Sequence, residues 1–590
     1  MATQAIAAET GHRGARLNSD IPQLIIGVIV VAATTFIPDI AGNPYWTHSF
    51  QLVNLFICAA VFQNLLMHDA GQASFGQSAI FGMSAYMAAI ATGMHGLNYG
   101  IGMVIGVLAS VVGGLLFAGP ALRVQGYYLG FVTLSAATVF PELLIALNKY
   151  TNGINGISIP FPTWHKEVFG LSMLSLVIVG VTCASLAFHV WLRSTGFGRA
   201  MRIAAASPEA AQSLGINTGL MRCLAFTIVS AGTGVAGLLY PPIVGFVSPS
   251  AFNLEISIVF FLAVIVGGRG QILGPIVGVW ILYLLPNVLL VELVNFRLLA
   301  YGTLALVVML LFSDGLIGSF ERWRLRRNQS TQRVNIHLDG LLGPVRTVGA
   351  RAPRTEVAID VKKARKTFGS VIAVDDVDMQ VMRAEIHGLV GANGSGKTSL
   401  LNVFNGFSRL NAGSVTINGA DITRLSSNRI AKLGIGRTFQ TPRIFNAMSL
   451  WENLEIGLDA NTGKSVAPAD VLAAMKASMG EQSVDLGPHG QRRMIEVMRA
   501  VLMGADVLFL DEPAAGLSPG EREEFKNLLR RLRDEMGKTI VLVEHDLQLV
   551  WDVADRITVL EAGKMVASGS PTEIAGNPSV RKLFIEPTHA

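Results

Sequence analysis

Cysteine is nearly absent, with 3 in 590 residues. Cys58, Cys183 and Cys223 each sit inside an apolar run, and no two stand at metal-ligand spacing. That excludes a thiolate metal centre and leaves three small hydrophobes. Charge is scarce as well, at 15% of residues, and it is unevenly spread. Of the 46 Lys and Arg and the 41 Asp and Glu, only 17 lie between 21 and 320; four precede that stretch and 66 lie beyond it. So long a stretch with so little charge has the composition of a membrane domain, and residues 321–590 have that of a soluble one. The net charge of +5 does not point to nucleic acid, because the Lys/Arg clusters stand beside hydrophobic segments, where they act as topology signals. The polar first 20 residues lead into an apolar run without a small-residue cleavage site, so no signal peptide is expected.

What the first half does have is apolar runs and glycine; the whole chain is 51% apolar, with a mean hydropathy of +0.48 and 62 glycines. A bilayer core takes about 20 apolar residues per helix. The runs at 21–41, 49–67, 72–92, 99–119, 126–147, 170–192, 220–240, 254–268, 273–292 and 298–317 give about ten expected spans, with 71–92 suited to a broken or re-entrant segment. Arg13 and Arg16 precede the first span, Arg193, Arg199 and Arg202 follow the sixth, and Arg322, Arg324, Arg326 and Arg327 follow the last. An even number of spans puts all three clusters on the cytoplasmic side. Gly102, Gly106, Gly232, Gly234, Gly237, Gly267, Gly268, Gly270 and Gly274 are expected chiefly to let helices approach closely. Glu255 is either an intramembrane carboxylate or an interfacial one. Residues 197–219, between spans, are rich in small residues and helical in pattern, ending at Gly215-Ile216-Asn217.

After an Arg-rich, then Gly/Pro-containing linker at 321–356, short β-rich runs alternate with helical segments, an α/β signature. A strand-like run at 381–390 leads into GANGSGKT, Gly391–Thr398. This fits the phosphate-binding pattern G-x-x-x-x-G-K-[ST], in which backbone N–H groups close around phosphates. Gly391, Asn393, Gly394, Ser395, Gly396 and Ser399 would form the cradle; Lys397 would reach the β- and γ-phosphates and the Thr398 hydroxyl would ligate Mg²⁺. The apolar strand 507–510 ends in Asp511, placed to bind Mg²⁺, and Glu512, placed to orient or deprotonate the attacking water. Strand 541–543 delivers Glu544 and His545 to the same edge, His545 towards the γ-phosphate. Gln440 in GIGRTFQ is placed to reach Mg²⁺ or the water, and Phe368 in KTFGS to stack on adenine.

Together with the AAGLSP segment (514–519), these residues stand in the order of an ABC-type ATPase, a resemblance covering about 357–586. DEPAAGL and GKMVASGSPTEIAGNPSV resemble the ATPases of branched-chain amino acid importers. DAGQASFGQSAIFGMSAYMAA (69–89), PALRVQGYYLGFVTL (120–134), 197–219 and GGRGQILGPIVG (267–278) resemble the permeases of that family. The resemblance implies an α-helical polytopic membrane domain followed by an α/β P-loop ABC-type nucleotide-binding domain. Its parts are a cytoplasmic tail (1–20), a permease domain (21–320), the linker (321–356) and the ATPase (357–590). It implies ATP and Mg²⁺ as ligands, and a coupling role for 197–219. It further implies a second permease–ATPase half and a periplasmic or lipoprotein solute-binding protein as partners, in the bacterial inner membrane.

One departure stands out. The segment where the family carries Leu-Ser-Gly-Gly-Gln is Gly487-Pro488-His489-Gly490-Gln491 here. Pro488 removes a hydroxyl and an N–H donor from a helix N-terminus that holds the partner's γ-phosphate, while Gly490 and Gln491 remain. Self-pairing would impair both ATP sites and pairing with a different ATPase only one, which favours a heteromer. The interval from Gln440 to Gly487 is also short, implying a trimmed helical subdomain. Two other functions compete with import. An exporter half-transporter carries six long helices with sparse glycine, unlike these short, glycine-rich spans. A regulatory subunit that binds ATP without turnover fits Pro488 but not the intact Lys397, Asp511, Glu512 and His545.

Overall fold

The computed structural model describes residues 14–123, 127–159, 167–168, 170–289, 296–328, 356–445, 448–461, 472–473, 475–476, 489–545 and 547–584. The chain divides into two units: Met1–Ala206 with Thr218–Ser330, and Ser207–Asn217 with Thr331–Ala590. Half of the segment between the sixth and seventh expected spans thus belongs to the second unit, a division that contiguous boundaries drawn from composition do not show.

In the first unit, eight helices among the described residues are long and apolar enough to cross a bilayer. They are Asp20–Ile40, Pro44–Asp69, Tyr99–Leu122, Tyr128–Ala146, Met173–Ser194, Thr218–Val244, Pro249–Gly267 and Leu299–Arg324. The other two of the ten expected spans are shorter and irregular. Residues 71–76 form a loop, so the helix Gln77–Ala89 begins late, and it runs into a π turn at Ile90–Met94. Gly274–Val279 continues as a π segment, Trp280–Leu289, that contains Pro286, a residue that cannot donate to a regular helical ladder.

The glycines serve close packing. Against the helix Thr218–Val244, a Cβ on Gly237 would lie 2.2 Å from the Phe81 carbonyl oxygen, and one on Gly232 would lie 2.2 Å from the Phe62 ring. A Cβ on Gly106 would lie 2.7 Å from the Ser84 carbonyl oxygen. With backbones this near, small hydroxyls bridge the helices: Ser84 Oγ donates to the Gly234 carbonyl at 2.8 Å and Thr233 Oγ1 to Gln77 Oε1 at 2.9 Å. Glu255 sits half-buried in the first turn of Leu254–Gly267, where an acidic side chain suits the helix dipole. The three cysteines are free.

One cluster in this unit is ionic. Asp69, fully buried at the end of its helix, accepts from His189 Nε2 at 2.8 Å. Arg193 Nε lies 3.6 Å and an Arg202 terminal nitrogen 3.9 Å from Asp69 Oδ1. Arg193 also donates to the Gly270 carbonyl at 2.9 Å and lies 3.4 Å from Asp20. The loop holding Gly270 is fixed in turn by Asn64, whose Oδ1 accepts from Gly270 N at 2.9 Å and whose Nδ2 donates to Gln271 O at 3.0 Å. Removing one partner of a buried ion pair leaves the others uncompensated, at a cost of about 3–5 kcal/mol. Asp69→Ala is therefore expected to lower thermal stability in detergent by an amount of that order, with Asp69→Asn milder; an unchanged melting curve for Asp69→Ala would contradict the ionic role.

The second unit has two sheets among its described residues. The strands are β1 (Val357–Phe368), β2 (Val371–Met382), β3 (Ile386–Gly391), β4 (Ala412–Ile417), β5 (Ala420–Asp421), β6 (Ile435–Arg437), β7 (Val507–Asp511), β8 (Thr539–Val543), β9 (Arg556–Glu561) and β10 (Lys564–Gly569). One sheet has the order β6-β7-β8-β3-β9-β10, parallel except for the β9–β10 pair. The other is antiparallel, β2-β1-β4-β5. Every residue of β3, β7 and β8 is buried, as expected for apolar runs in a parallel sheet covered on both faces. The run at 381–390 is split between β2 and β3, with Ala384 at φ 53° in the turn between them.

Candidate nucleotide site

Gly391 ends β3 and the helix Lys397–Phe404 begins six residues on, so the loop between them is the strand–loop–helix turn that the motif requires. Two of its glycines are obligatory on geometric grounds. Gly396 has φ 101°, and a Cβ there would lie 2.2 Å from the Ala373 carbonyl oxygen; a Cβ on Gly391 would lie 2.2 Å from that of Leu560. Asn393, Gly394 and Thr398 are exposed, Ser399 is half-buried and Ser395 is buried. The Lys397 ammonium is buried and donates to the carbonyls of Gly391 at 2.7 Å and Ala392 at 2.9 Å. Burial lowers its proton affinity, while the carboxylates of Glu512 and Asp511 nearby work in the other direction.

The register of β7 against β8 pairs Asp511 with Val543, so the next residues along, Glu512 on one strand and Glu544 and His545 on the other, emerge side by side. His545 Nε2 donates to Glu512 Oε1 at 2.8 Å and Gln440 Nε2 to Glu512 Oε2 at 3.1 Å. Three residues named from separate stretches of sequence thus meet on one carboxylate. Glu512 holds φ 47°, a left-handed backbone that is uncommon outside glycine, with its N–H bonded to the Val543 carbonyl at 2.8 Å. Glu544 is buried and accepts from Ala514 N at 2.7 Å, tying the AAGLSP segment to β8. Asp511 is buried, 3.6 Å from Arg437, and its Oδ1 has no hydrogen-bond partner among the described residues. Burial raises its proton affinity, against the pull of Arg437.

Other expected site residues are not gathered in. Phe368 stands at the end of β1 with its ring half exposed and Lys366 Nζ 4.7 Å from the ring centre. Gly487 and Pro488, the side chains of His489 and Gln491, and the burial of Gly490 lie outside the described residues; the helix His489–Leu502 follows directly. Half of the interval read as a trimmed subdomain, chiefly 462–471 and 477–486, also lies outside them.

Sequence reasoning missed the residues that hold the Gln440 loop. Arg493, Glu496 and Arg499 are all buried, and all three bond the backbone of residues 439–443. Their spacing of three along RRMIEVMRA, which puts three charges on one helix face, is the signal that could have found them. The loop also reaches the short helix Pro208–Ser213 of the same unit, where Arg443 lies 3.1 Å from Glu209.

A P-loop, a buried Asp-Glu strand end and a converging Gln and His, following a polytopic apolar domain, define an ATP-hydrolysing membrane transporter of the ABC class. A family model described as "Branched-chain amino acid transport system / permease component" matches residues 47–313, and one described as "ABC transporter" matches 374–515. The chain is similar to the high-affinity branched-chain amino acid transport ATP-binding protein BraF of Pseudomonas aeruginosa, 32% identical over 38% of this chain and 97% of BraF. It is likewise similar to LivG of Salmonella typhimurium, 34% identical over 37% of this chain and 93% of LivG. A solved nucleotide-free ATP-binding cassette from an ABC transporter is 27% identical over 39% of this chain and 99% of that one, with a TM-score of 0.34. The chain belongs to the branched-chain amino acid ABC transporter family, with permease and ATPase in one polypeptide. It is a multi-pass membrane protein that binds nucleotide and couples ATP hydrolysis to transport.

Proposed function

We propose that this chain is a permease–ATPase subunit of an importer, moving branched-chain amino acids or related small carboxylates and amides inward across the bacterial cytoplasmic membrane. The observation that carries this reading is the conjunction, in one chain, of a permease match over 47–313 with ATPase relatives named for branched-chain amino acid transport. A solute-binding protein delivers the solute, and a second permease–ATPase half completes the pore.

The nucleotide's phosphates lie in the loop 391–398 and Lys397 turns from its carbonyl partners to the β- and γ-phosphates. Asp511, Gln440 and the Thr398 hydroxyl would hold Mg²⁺; the unpartnered, buried Asp511 Oδ1 fits a hard cation. When bound, the ion supplies charge neutralisation to the transferring phosphoryl group. Glu512 accepts the proton of the attacking water, with Gln440 and His545 fixing its two oxygens. Phe368 stacks on adenine, and Gly490 and Gln491 face the partner's γ-phosphate. The pair Arg443–Glu209 supports a coupling role for residues 207–217, since it ties the Gln440 loop to that segment.

Pro488 makes the assembly heteromeric on this reading, and ATP turnover in lipid nanodiscs tests it. The chain alone is expected to hydrolyse ATP no faster than its Glu512→Gln variant. Co-assembly with an ATPase half carrying an intact Leu-Ser-Gly-Gly-Gln segment is expected to restore turnover. Vigorous turnover by the chain alone would show that it self-pairs despite Pro488.

A further inference from the structure

The Gln440 loop is held by one helix face in a manner that neither the P-loop chemistry nor the family match assigns. It begins at Thr438, whose N–H bonds the Phe509 carbonyl at 2.9 Å and whose hydroxyl accepts from Asp511 N at 3.2 Å, so its first residue is fixed to β7. From there on its backbone is gripped by the helix His489–Leu502. Glu496 Oε1 accepts from two loop amides, Phe439 N at 3.3 Å and Arg443 N at 3.2 Å, one on each side of Gln440. Arg493 donates through its two terminal nitrogens to the carbonyls of Phe439 and Gln440. Arg499 donates to the Arg443 carbonyl at 2.9 Å and covers the Phe445 ring at 4.9 Å.

The three side chains are 4%, 1% and 3% exposed, so the grip is out of water. Burying two guanidinium groups and a carboxylate carries a large desolvation cost, and an apolar face would pack a helix against a loop at less cost. What an apolar face cannot do is fix individual loop amides and carbonyls, and this one fixes the backbone on both sides of Gln440. Gln440 bonds Glu512, and Arg443 at the far end of the grip lies against Glu209.

We propose that Glu496 is a positioning residue which, with Arg493 and Arg499, makes the Gln440 loop move as one body with the helix His489–Leu502. The position of that helix then sets both the hold of Gln440 on Glu512 and the position of the 207–217 segment. A helix displaced by a partner ATPase at its N-terminus carries the loop with it, and no separate opening of the loop is needed. The proposal rests on the ATPase reading given above. The charged groups that face Glu496 are Arg493 and Arg499 on its own helix and Arg437 on β6, and Arg443 meets it through its backbone N–H alone. Burial pushes its carboxyl up to about 7, against the pull of Arg499, the loop amides and Arg493. Protonation near neutral pH therefore weakens the acceptor that two loop amides share.

The test is amide hydrogen exchange on the full chain in lipid nanodiscs, with and without a non-hydrolysable ATP analogue, for wild type and Glu496→Gln. In the nucleotide-free protein, Glu496→Gln is expected to speed exchange at 439–443 by about tenfold, the scale of one lost charge-assisted bond. Analogue affinity should stay within about twofold, because the P-loop is untouched. The nucleotide-dependent change in protection at 207–217 should disappear. In wild type, protection of 439–443, corrected for intrinsic rates, should fall as pH drops through about 7; in the variant that step should be absent. Unchanged exchange at 439–443, or an intact nucleotide response at 207–217 together with faster loop exchange, would overturn the proposal. If Glu496→Gln does not fold, Arg493→Lys, which keeps the carboxylate but loses the two-pronged donor, carries the same expectations for loop exchange and for the 207–217 response, with the pH step retained. A wild-type chain that fails to bind the analogue would count against the ATPase reading alone, since exchange at 439–443 without nucleotide still decides the grip.

Discussion

In the transporter assembled with a partner ATPase half that carries an intact Leu-Ser-Gly-Gly-Gln segment, Glu512→Gln is expected to lower ATP turnover by about a thousandfold while leaving ATP binding intact, the scale on which a positioned general base contributes. The carboxylate follows a fully buried strand, one residue past Asp511, and its oxygens are taken separately by His545 at 2.8 Å and Gln440 at 3.1 Å. Glutamine has the same length and tolerates the same left-handed backbone about as well, so the substitution removes proton acceptance with little change of shape. It also gives one terminal atom that can only donate, which suits neither His545 nor Gln440 as they now stand. Binding affinity should therefore stay nearly constant while the rate collapses, a separation that equilibrium binding and single-turnover hydrolysis on the same preparation read directly. A variant within threefold of wild-type turnover would remove Glu512 from the chemistry.

Lys397→Ala is expected to act one step earlier, weakening ATP binding by about 10- to 100-fold, equivalent to losing a charge-assisted contact of about 1.5–3 kcal/mol. The ammonium is buried at the first turn of the helix Lys397–Phe404, bonded to the Gly391 and Ala392 carbonyls. Those carbonyls are acceptors facing a loop meant for phosphates. The cation that offsets them is therefore needed even before its own contact with the γ-phosphate is considered. Without it, the backbone N–H groups and the helix N-terminus still attract an anion, so binding weakens and does not vanish. Lys397→Arg should not rescue, because a planar fork does not fit the space that a compact ammonium fills between two carbonyls. Isothermal titration with an ATP analogue separates the cases: an affinity within twofold of wild type would contradict this placement.

Much of this arrangement is legible in the sequence, for identifiable reasons. Charge is partitioned so sharply at about residue 320 that membrane and soluble halves separate on composition. Gly391–Thr398, Asp511–Glu512 and His545 are each carried by a strand end, and strand ends in a parallel sheet fall along one edge. The convergence of Gln440, Glu512 and His545 follows from that edge. What composition and motif do not show is contact between distant segments on faces that look ordinary. Asp69 reads as one stray charge in an apolar half, and only the folded bundle brings His189, Arg193 and Arg202 around it. Arg493, Glu496 and Arg499 read as part of a polar helix, yet they are buried against a loop some 50 residues earlier. The two irregular spans are shorter than their apolar runs because a loop at 71–76, π turns and a proline interrupt those runs without changing hydropathy, the first being the stretch that the sequence marks as broken or re-entrant. Segment 197–219 reads as a helical coupling segment between spans, and the grouping of 207–217 with the second unit comes from contacts that hydropathy does not record.

The central claim is that ATP hydrolysis by this chain drives a branched-chain amino acid inward. Its most direct test is uptake into proteoliposomes that hold the assembled transporter with its ATPase halves facing the interior. ATP is sealed inside, with radiolabelled leucine and the solute-binding protein outside. Accumulation that needs interior ATP and the binding protein, and that disappears with Glu512→Gln, is the predicted result. No accumulation above the Glu512→Gln control, or ATP-dependent loss of preloaded leucine from the interior, would contradict it.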